Sequence, residues 1–325
     1  MTTLTTPDLD RYEDDLTFVD GPDLPNPSVA SRVVVLVVVV LPLVAALTAV
    51  IGIWGVDPFA LGLMFALIAV SGLGVTAGYH RLFTHKSFVA KRPLKIALAV
   101  SAGFAFEGDL MSWVANHRQH HRFSDRERDP HSPFRPDGTT WDKVRGFWHS
   151  HAGWLLRQGQ TSAEQERYVP DLLADRDLVV ISRLFPLWAT IGLVAPFVLG
   201  FAIGGTLGAG VTAFVWAGLV RVFLVHHVTW SINSVCHVFG KQPFRTNDAS
   251  RNQALLSVVT FGEAWHNAHH AFPTLARHGV LRGQVDVTAR LIWFWEKLGW
   301  ATDVRWPRPE LLDARRVATG DVGRG

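Results

Sequence analysis

The sequence has almost nothing that could crosslink the chain or bind a metal through sulfur. Cys236 is the only cysteine in 325 residues. A single cysteine excludes an internal disulfide, a CxxC redox pair and any zinc or iron–sulfur site made wholly of thiolates. The chain has fifteen histidines, so we expect imidazole to hold any metal that it binds.

Charge is also scarce. Charged residues make up 18% of the chain, whereas about a quarter is usual for a soluble domain. The formal net charge is only +3, and no compact basic patch is interleaved with aromatic residues, so no nucleic-acid partner is expected. Long apolar runs account for the missing charge. Several of the thirteen tryptophans stand near the ends of these runs, as is typical of a membrane interface.

Four apolar runs each reach the ~20 residues that cross the hydrocarbon core of a bilayer. The predicted spans are about residues 33–54, 58–79, 184–203 and 207–228. Short uncharged links join them into two helical hairpins. Arg221 lies in the fourth span, where we expect it to snorkel or to face the protein interior. The run from Ile96 to Phe106 is too short to span and is expected to form an interfacial or re-entrant helix.

The basic residues predict how these spans are oriented. Both hairpin turns lack Lys and Arg, whereas the segments after the second and fourth spans contain Arg81, Lys86, Lys91, Arg92, Lys95, Lys241, Arg245 and Arg251. The positive-inside rule then places both termini and both large polar segments in the cytoplasm. We therefore expect an all-α integral membrane protein with four transmembrane helices and a cytoplasmic helical cap. Residues 1–30 are expected to form a mobile acidic tail.

Three histidine clusters lie in the predicted cap. Their members are His80 and His85, then His117, His120 and His121, then His266, His269 and His270. In the two HxxHH clusters, helical positions i, i+3 and i+4 share a face, so six imidazoles could reach a common centre. His80 and His85 would be about 140° apart on a regular helix. Either the helix ends between them or they serve two different metals.

Eight imidazoles exceed the ligand set of one ion, because a structural zinc site takes four. Two metals are therefore expected. His237 and Asn233 stand one turn apart beyond the fourth span, and they could add a ninth imidazole and an amide that holds a water. The other histidines are expected to be structural, with His131 and His278 as supports for the ligands.

The identity of the metal stays open on ligand type alone, since imidazole suits zinc, copper, iron and nickel. The apolar spans and Trp113, Trp230 and Trp265 suggest a long aliphatic chain as substrate. The middle of such a chain offers no acidic proton to acid–base catalysis. Attack on it needs an oxidant, which iron with O₂ can supply and zinc cannot.

These motifs resemble the three histidine boxes of the membrane acyl-CoA (stearoyl-type, Δ9) desaturases. The matching segments are 78–85 (GYHRLFTH), 117–121 (HRQHH) and 263–270 (EAWHNAHH), with lesser matches at 129–131, 151–156 and 233–237. The resemblance covers roughly residues 30–305. It implies a desaturase domain over residues 31–310, followed by a polar C-terminal tail at 311–325, in the cell membrane.

The resemblance also implies the chemistry. Two iron ions, with O₂ as oxidant and two electrons from an external carrier, would place a cis double bond near the middle of a saturated acyl chain. The implied ligands are His80, His85, His117, His120, His121, His237, His266, His269 and His270, with Asn233 acting through a water. Trp113 and Trp230 match residues that shape the acyl tunnel.

The sequence departs from the family at one position. Animal members have a Gln-Asn pair where this chain has Glu107-Gly108, at a position associated with the acyl thioester. Both residues are expected to contact the substrate, a long-chain acyl-CoA or acyl-lipid. No His-Pro-Gly-Gly heme motif occurs, so the electrons are expected from a separate ferredoxin-like, cytochrome b5-like or flavin-containing donor.

Two other functions are compatible with the histidine clusters. A membrane di-iron hydroxylase of fatty acyl, sterol or alkane substrates uses similar clusters. The alternative that is not an enzyme is a histidine-rich metal-binding receptor or transporter. A transporter places its ionisable ligands near the bilayer midplane, whereas these clusters follow the ends of the predicted spans.

Overall fold

The computed structural model describes residues 28–133, 139–157 and 162–317. Its helices are α1 (Val29–Val50), α2 (Pro58–Leu73), α3 (Arg92–Gly103), α4 (Leu110–Phe123), α5 (Thr140–His151), α6 (Ser162–Tyr168), α7 (Pro170–Leu173), α8 (Arg176–Arg183), α9 (Phe185–Gly204), α10 (Leu207–Ala213), α11 (Arg221–Val238), α12 (His266–Ala271), α13 (Val287–Lys297) and α14 (Pro309–Arg315). Two segments, Gly74–Thr84 and Phe214–Val220, are π-helical and continue α2 and α10. Strands β1 (Val89–Ala90) and β2 (Ala301–Thr302) pair antiparallel, with Val89 opposite Thr302.

Four helices are long and apolar enough to cross a membrane: Val29–Val50, Pro58–Thr84, Phe185–Gly204 and Leu207–Val238. This confirms the predicted all-α membrane architecture with two helical hairpins. The first span begins earlier than predicted because Ser28 caps it, accepting a hydrogen bond from the Ser31 amide at 3.1 Å. It also ends earlier, at Val50, and a turn follows in which Gly52 has a φ of +83°.

The second and fourth spans are longer than predicted, and their extra turns reach the histidines. The second continues through its π-helical segment to Thr84, and the fourth continues through α11 to Val238. Arg221 is fully buried between the spans. Its guanidinium donates to the carbonyls of Phe104 at 2.7 Å and Gly192 at 3.2 Å. It therefore faces the protein interior and does not snorkel, because backbone carbonyls take the place of water.

The short helix α3 supports the second span. It has only 12 residues, too few to span, and its buried face packs against the π-helical segment Gly74–Thr84. A Cβ atom at Gly74 would lie 2.4 Å from the Ala102 backbone nitrogen, and one at Gly78 would lie 3.0 Å from the Leu98 Cβ. Small residues thus let the two helix backbones approach closely.

A buried arginine joins the second span to the cap. Arg81 has no exposed surface and makes ion pairs with Glu263 at 2.9 Å and Asp286 at 3.0 Å. It also donates to the Ala276 carbonyl at 2.6 Å. Breaking one of these buried pairs would leave an uncompensated charge, so this contact fixes the position of the segment that contains the third histidine cluster.

The ends of the predicted domain differ from the observed ones. Residues 1–27 of the predicted acidic tail lie outside the described residues, and Val29 and Ala30 already belong to α1. The boundary predicted at residue 310 falls inside α14. Residues 311–317 are not a separate tail, since the Val317 amide donates to the Pro243 carbonyl at 3.0 Å. Residues 318–325 are outside the described part of the chain.

Candidate metal centre

Five histidines form a cluster at the end of the second span, which we call the five-histidine cluster. Its members are His80, His85, His117, His121 and His269, and one ring nitrogen from each lies within 4.8 Å of the others. The Nε2 atoms of His80 and His269 are 3.1 Å apart, and those of His121 and His269 are 2.9 Å apart.

Four further histidines form the adjoining four-histidine cluster. They are His120, His237, His266 and His270, and their ring nitrogens satisfy the same 4.8 Å limit. The Nε2 atoms of His237 and His266 are 3.0 Å apart. The rings of His121 and His270 stack with centroids 4.5 Å apart, so the two clusters are neighbours. The structure thus brings together all nine histidines that the sequence singled out.

The helical repeat explains how the nine histidines divide. At about 100° per residue, His117 and His121 are about 40° apart around the axis of α4, whereas His120 lies about 60° from His117 and about 100° from His121, and it joins the other cluster. Helix α12 repeats this pattern, with His266 and His270 joined in one cluster and His269 in the other. Each HxxHH motif therefore supplies both clusters. The prediction that six imidazoles meet at one centre was wrong for this reason.

Local winding explains why His80 and His85 lie in one cluster. The His85 amide donates to the His80 carbonyl at 3.1 Å, which is the i→i+5 bond of a π-helix. The helix ends at Thr84, as one of the two predicted alternatives required. The ring centroids are 4.7 Å apart. Both residues therefore belong to one group of imidazoles that could hold a single ion.

Carboxylates contact the Nδ1 atoms of four of the nine imidazoles. The contacts to the histidine Nδ1 atoms are Asp129–His120 at 3.0 Å, Asp125–His237 at 3.0 Å, Asp248–His270 at 2.8 Å and Glu263–His80 at 2.6 Å. In metal sites such a carboxylate fixes the ring orientation and tautomer and makes the ligand nitrogen more basic. The boxes quoted above contain Glu263 and Asp129, but the supporting role of Asp125 and Asp248 was missed.

These contacts decide where the protons sit. Asp129 and Asp248 hold Nδ1–H on His120 and His270, which leaves a lone pair on each Nε2 atom. Those two Nε2 atoms face each other at 3.4 Å. Two lone pairs in a buried site repel each other unless a proton or a metal ion lies between them. The residues present therefore fit a metal with nitrogen ligands, a class that includes iron.

The titration of the supporting carboxylates agrees with this arrangement. Burial alone would raise the pKa of Asp248, but its contact with His270 and its hydrogen bonds from Ser250 outweigh burial and hold that pKa below its ordinary value. Glu263 behaves in the same way, because Arg81 and His80 outweigh its burial and lower its pKa. Both side chains are therefore charged at neutral pH.

Four imidazoles of the five-histidine cluster are held neutral. Burial, followed by repulsion from neighbouring imidazoles, lowers the pKa of His85, His117, His121 and His269 well below the ordinary value. Neutral imidazole is the form that binds metals. His120 differs, because Asp129 outweighs the effect of burial and raises its pKa.

The two histidines predicted as supports contact the clusters. The His131 ring lies 4.4 Å from the His120 ring. His278 Nδ1 lies 3.2 Å from Glu263, and its ring is 4.3 Å from that of His269. Both are buried, so each adjoins one cluster.

The predicted substrate residues occupy two places. Trp113 stacks on His117 with ring centroids 5.0 Å apart, and its Nε1 donates to Glu107 at 3.1 Å. Burial raises the pKa of Glu107 to about 7, against hydrogen bonds from Thr229 and Trp113 that lower it. Gly108 has a φ of +104°, a conformation that favours glycine.

Trp230 is buried in α11 beside the His226 ring, at a centroid distance of 4.9 Å. Asn233 is partly buried one turn before His237 on the same helix. The water-mediated role of Asn233 and the substrate role of the other four residues stay predictions.

Comparison with known proteins agrees with the site. Residues 57–282 match the fatty acid desaturase family, a range that contains the nine clustered histidines and their four carboxylates.

The chain belongs to the fatty acid desaturase family.

Among three relatives of this chain, the names of two state how the acyl group is carried. The chain is 41% identical to the Delta-9 desaturase-like 3 protein of Arabidopsis thaliana. The alignment has 249 residues and covers 74% of this chain and 76% of the relative. The chain is 36% identical over 260 residues to the sn-1 stearoyl-lipid 9-desaturase of Synechocystis sp. (strain ATCC 27184 / PCC 6803 / Kazusa), covering 79% and 75%. It is also 36% identical over 284 residues to the hex-5-enoyl-[acyl-carrier protein] acetylenase of Moorena producens (strain JHB), covering 86% and 88%.

Proposed function

We propose that this desaturase uses O₂ and two electrons to place a cis double bond in a saturated long-chain acyl group at a two-iron centre. In the balanced reaction, the adjacent methylenes lose two hydrogens, and O₂ with two electrons and two protons becomes two waters. The single observation that carries the proposal is the pair of adjoining imidazole clusters, in each of which ring nitrogens from four or five histidines lie within 4.8 Å of one another. Iron, when bound there, supplies the oxidising chemistry that an unactivated methylene needs.

The protein's own residues hold and orient the reactants. Five and four imidazoles would ligate the two ions, with Asn233 contributing through a water. Asp125, Asp129, Asp248 and Glu263 fix the tautomers of four of these rings. Trp113, stacked on His117, would present an apolar wall to the methylenes. Burial of the clusters keeps water from the oxidant.

We infer that the acyl group is carried on a membrane glycerolipid, with Δ9-type regiochemistry. The name of the Synechocystis relative states a stearoyl-lipid substrate, and two Arabidopsis relatives are named Delta-9 acyl-lipid desaturases. The Glu107-Gly108 departure from the acyl-CoA enzymes supports the same choice. Long-chain acyl-CoA, the carrier implied by the first resemblance, is the alternative that the substrate assay must distinguish.

We further propose that the four spans lie in the cell membrane and that the cap faces the cytoplasm. The absence of Lys and Arg from both hairpin turns supports this orientation. Arg126 and Arg128 are exposed just after α4, the helix of His120 and His121. They suit the docking of an acidic electron carrier of the ferredoxin, cytochrome b5 or flavin-reductase class.

Expression in a host that cannot make unsaturated chains tests the reaction. Mass spectrometry of the host's fatty acids should show a new monounsaturated chain, and fractionation by carrier should show it first in glycerolipid. The purified protein should contain two iron ions per chain. A hydroxylated product without a new double bond would favour the hydroxylase instead.

A further inference from the structure

A pair of histidines outside the metal clusters lies at the level where the spans meet the cap. Arg221 contacts the Gly192 carbonyl, and Gly192 is about 10 Å inside α9 from Phe185 at 1.5 Å per residue. Helix α11 runs antiparallel to α9, and His227 is about 9 Å beyond Arg221 toward the cap. His227 therefore lies level with the start of α9, where that span begins.

Helix α5 covers this position and has the form of a membrane-surface helix. Trp141, Val144 and Trp148 are 65%, 53% and 63% exposed, and their spacing places them on one face. Lys143 and Arg145 are exposed beside them. Helix α5 packs against α11, and the 3₁₀ turn after it, Gly153–Leu156, packs against α1. Tryptophan with flanking basic residues is typical of a helix that lies in the headgroup region.

A directional chain of hydrogen bonds runs beneath α5. Ser234 Oγ donates to the Trp230 carbonyl at 3.0 Å, so it accepts from His151 Nδ1 at 3.0 Å. Burial lowers the pKa of His151 to about 4, which makes this ring neutral. Its Nε2 then accepts from His227 Nδ1 at 2.9 Å.

The chain of bonds ends on an unused acceptor. With its proton on Nδ1, a neutral His227 has a lone pair on Nε2, and that atom makes no hydrogen bond within the described residues. Phe223 lies 4.3 Å from the His227 ring, and Phe147 lies 6.3 Å from the His151 ring. An acceptor between aromatic walls at a membrane surface favours an O–H donor that arrives with an apolar body.

The geometry points to a lipid headgroup subsite: His227 Nε2 accepts a hydrogen bond from a hydroxyl of a membrane glycerolipid whose chains lie along α5 and α11. His237 of the four-histidine cluster is ten residues further along α11, about 15 Å, which a long acyl chain can cover. The identity of this lipid as substrate rests on the proposed function, whereas the subsite itself does not.

Two lipids that differ only in their hydroxyls test the subsite. Phosphatidylglycerol and phosphatidylpropanol with the same acyl chains have the same phosphate charge. Native mass spectrometry of the metal-loaded protein in detergent, titrated with each lipid, gives the two dissociation constants. We expect phosphatidylglycerol to bind about fivefold more tightly, the effect of one hydrogen bond worth ~1 kcal/mol.

Three variants show whether His227 is the acceptor. His227→Phe should remove the preference, and His227→Gln, whose amide oxygen also accepts, should keep part of it. The control is His149→Phe, which replaces a histidine of α5 that is not part of the chain of hydrogen bonds. It should leave the preference intact. Equal affinities in the unaltered protein, or a preference that survives in His227→Phe, would overturn the proposal.

The outcomes separate the subsite from the desaturation reaction. A hydroxyl preference in a protein that makes no unsaturated chain in the host would refute the proposed reaction and leave the subsite standing. Desaturation without the preference would refute the subsite and leave the proposed reaction standing. A thermal melt of each variant shows whether it is folded. If His227→Phe does not fold, the measurement on His227→Gln decides the test.

Discussion

The two histidine clusters differ in the carboxylates that contact the Nδ1 atoms of their imidazoles. In the four-histidine cluster, aspartates contact the Nδ1 atoms of His120, His237 and His270. In the five-histidine cluster, Glu263 contacts His80 and is shared with Arg81 and His278. The five-histidine cluster has one more imidazole, and the four-histidine cluster has more carboxylates around it.

This difference has a consequence for metal affinity. Carboxylate contacts on Nδ1 raise the basicity of the opposite nitrogen, so three of the four imidazoles of the four-histidine cluster should bind a cation more strongly. In the other cluster, His85 Nε2 and His269 Nδ1 are buried without a hydrogen-bond partner among the described residues. We expect the four-histidine cluster to fill first and to release its metal last.

Neighbouring residues of α4 allow the sharpest test of the two clusters. His120→Ala and His121→Ala are the same change one residue apart, but they remove a ligand from different clusters. Each should abolish desaturation and lower bound iron from two ions to one per chain. Metal analysis with iron spectroscopy should show that the remaining ion differs between the two variants. Full iron content and turnover in His120→Ala would refute the ligand assignment.

Removal of a supporting carboxylate should have a smaller effect on one cluster only. Asp248→Asn and Asp125→Asn should weaken iron binding at the four-histidine cluster by about 10- to 100-fold, as loss of such contacts does elsewhere. Competition with a chelator measures the affinity of each ion. Asp177→Asn, which alters an exposed pair with Arg92, is the control. Equal weakening of both ions would contradict the asymmetry.

Acid should distinguish the clusters without any mutation. The pKa values of His85, His117, His121 and His269 are lower in the folded protein than the ~6.5 of an unfolded histidine. The unfolded state therefore binds more protons below pH ~6.5, and stability is lost as the pH falls through that value.

Two measurements follow from this sign. The melting temperature of the metal-free protein should fall between pH 7 and 5.5. The five-histidine cluster of the loaded protein should also lose its ion first over that interval, because the other cluster keeps its charged aspartates. Simultaneous release of both ions would show that the aspartates do not matter.

The smallest effect is expected at Glu107, outside both clusters. Its pKa of about 7 lies above the ordinary carboxyl value, so its contribution to stability is present at acidic pH and lost as the pH rises through 7. Glu107→Gln should remove this pH dependence, so the variant should melt higher than the unaltered protein at pH 8 and close to it at pH 5. Thermal melts at both pH values measure this. Iron content should not change.

The residue types of the site were predictable, but their assignment to clusters was not. The nine histidines stand out because short motifs place them one helical turn apart. Their division depends on how α4, α11 and α12 are set against each other, which no spacing encodes. Asp125 is four residues after His121, a signal that could have been used. Asp248 lies in a loop between α11 and α12 and reaches His270 only in the folded chain.

The fold shows a similar limit. Hydropathy predicted four spans because a bilayer demands long apolar runs. It missed the last turns of the second and fourth spans because these are polar, buried by the cap and lined with the site's own histidines. The burial of Arg221 was one of two open outcomes, since hydropathy does not show which carbonyls lie within reach.

The π-helical end of the second span makes chain length as important there as residue identity. Deleting one residue between His80 and His85 would leave three positions between them, and that i, i+4 spacing also places two side chains on one face of an α-helix. Adding one would move His85 about 100° around the axis. Related sequences should therefore vary in side chains between these two histidines without exceeding four residues there. An insertion at this place would mark a protein that has lost the site.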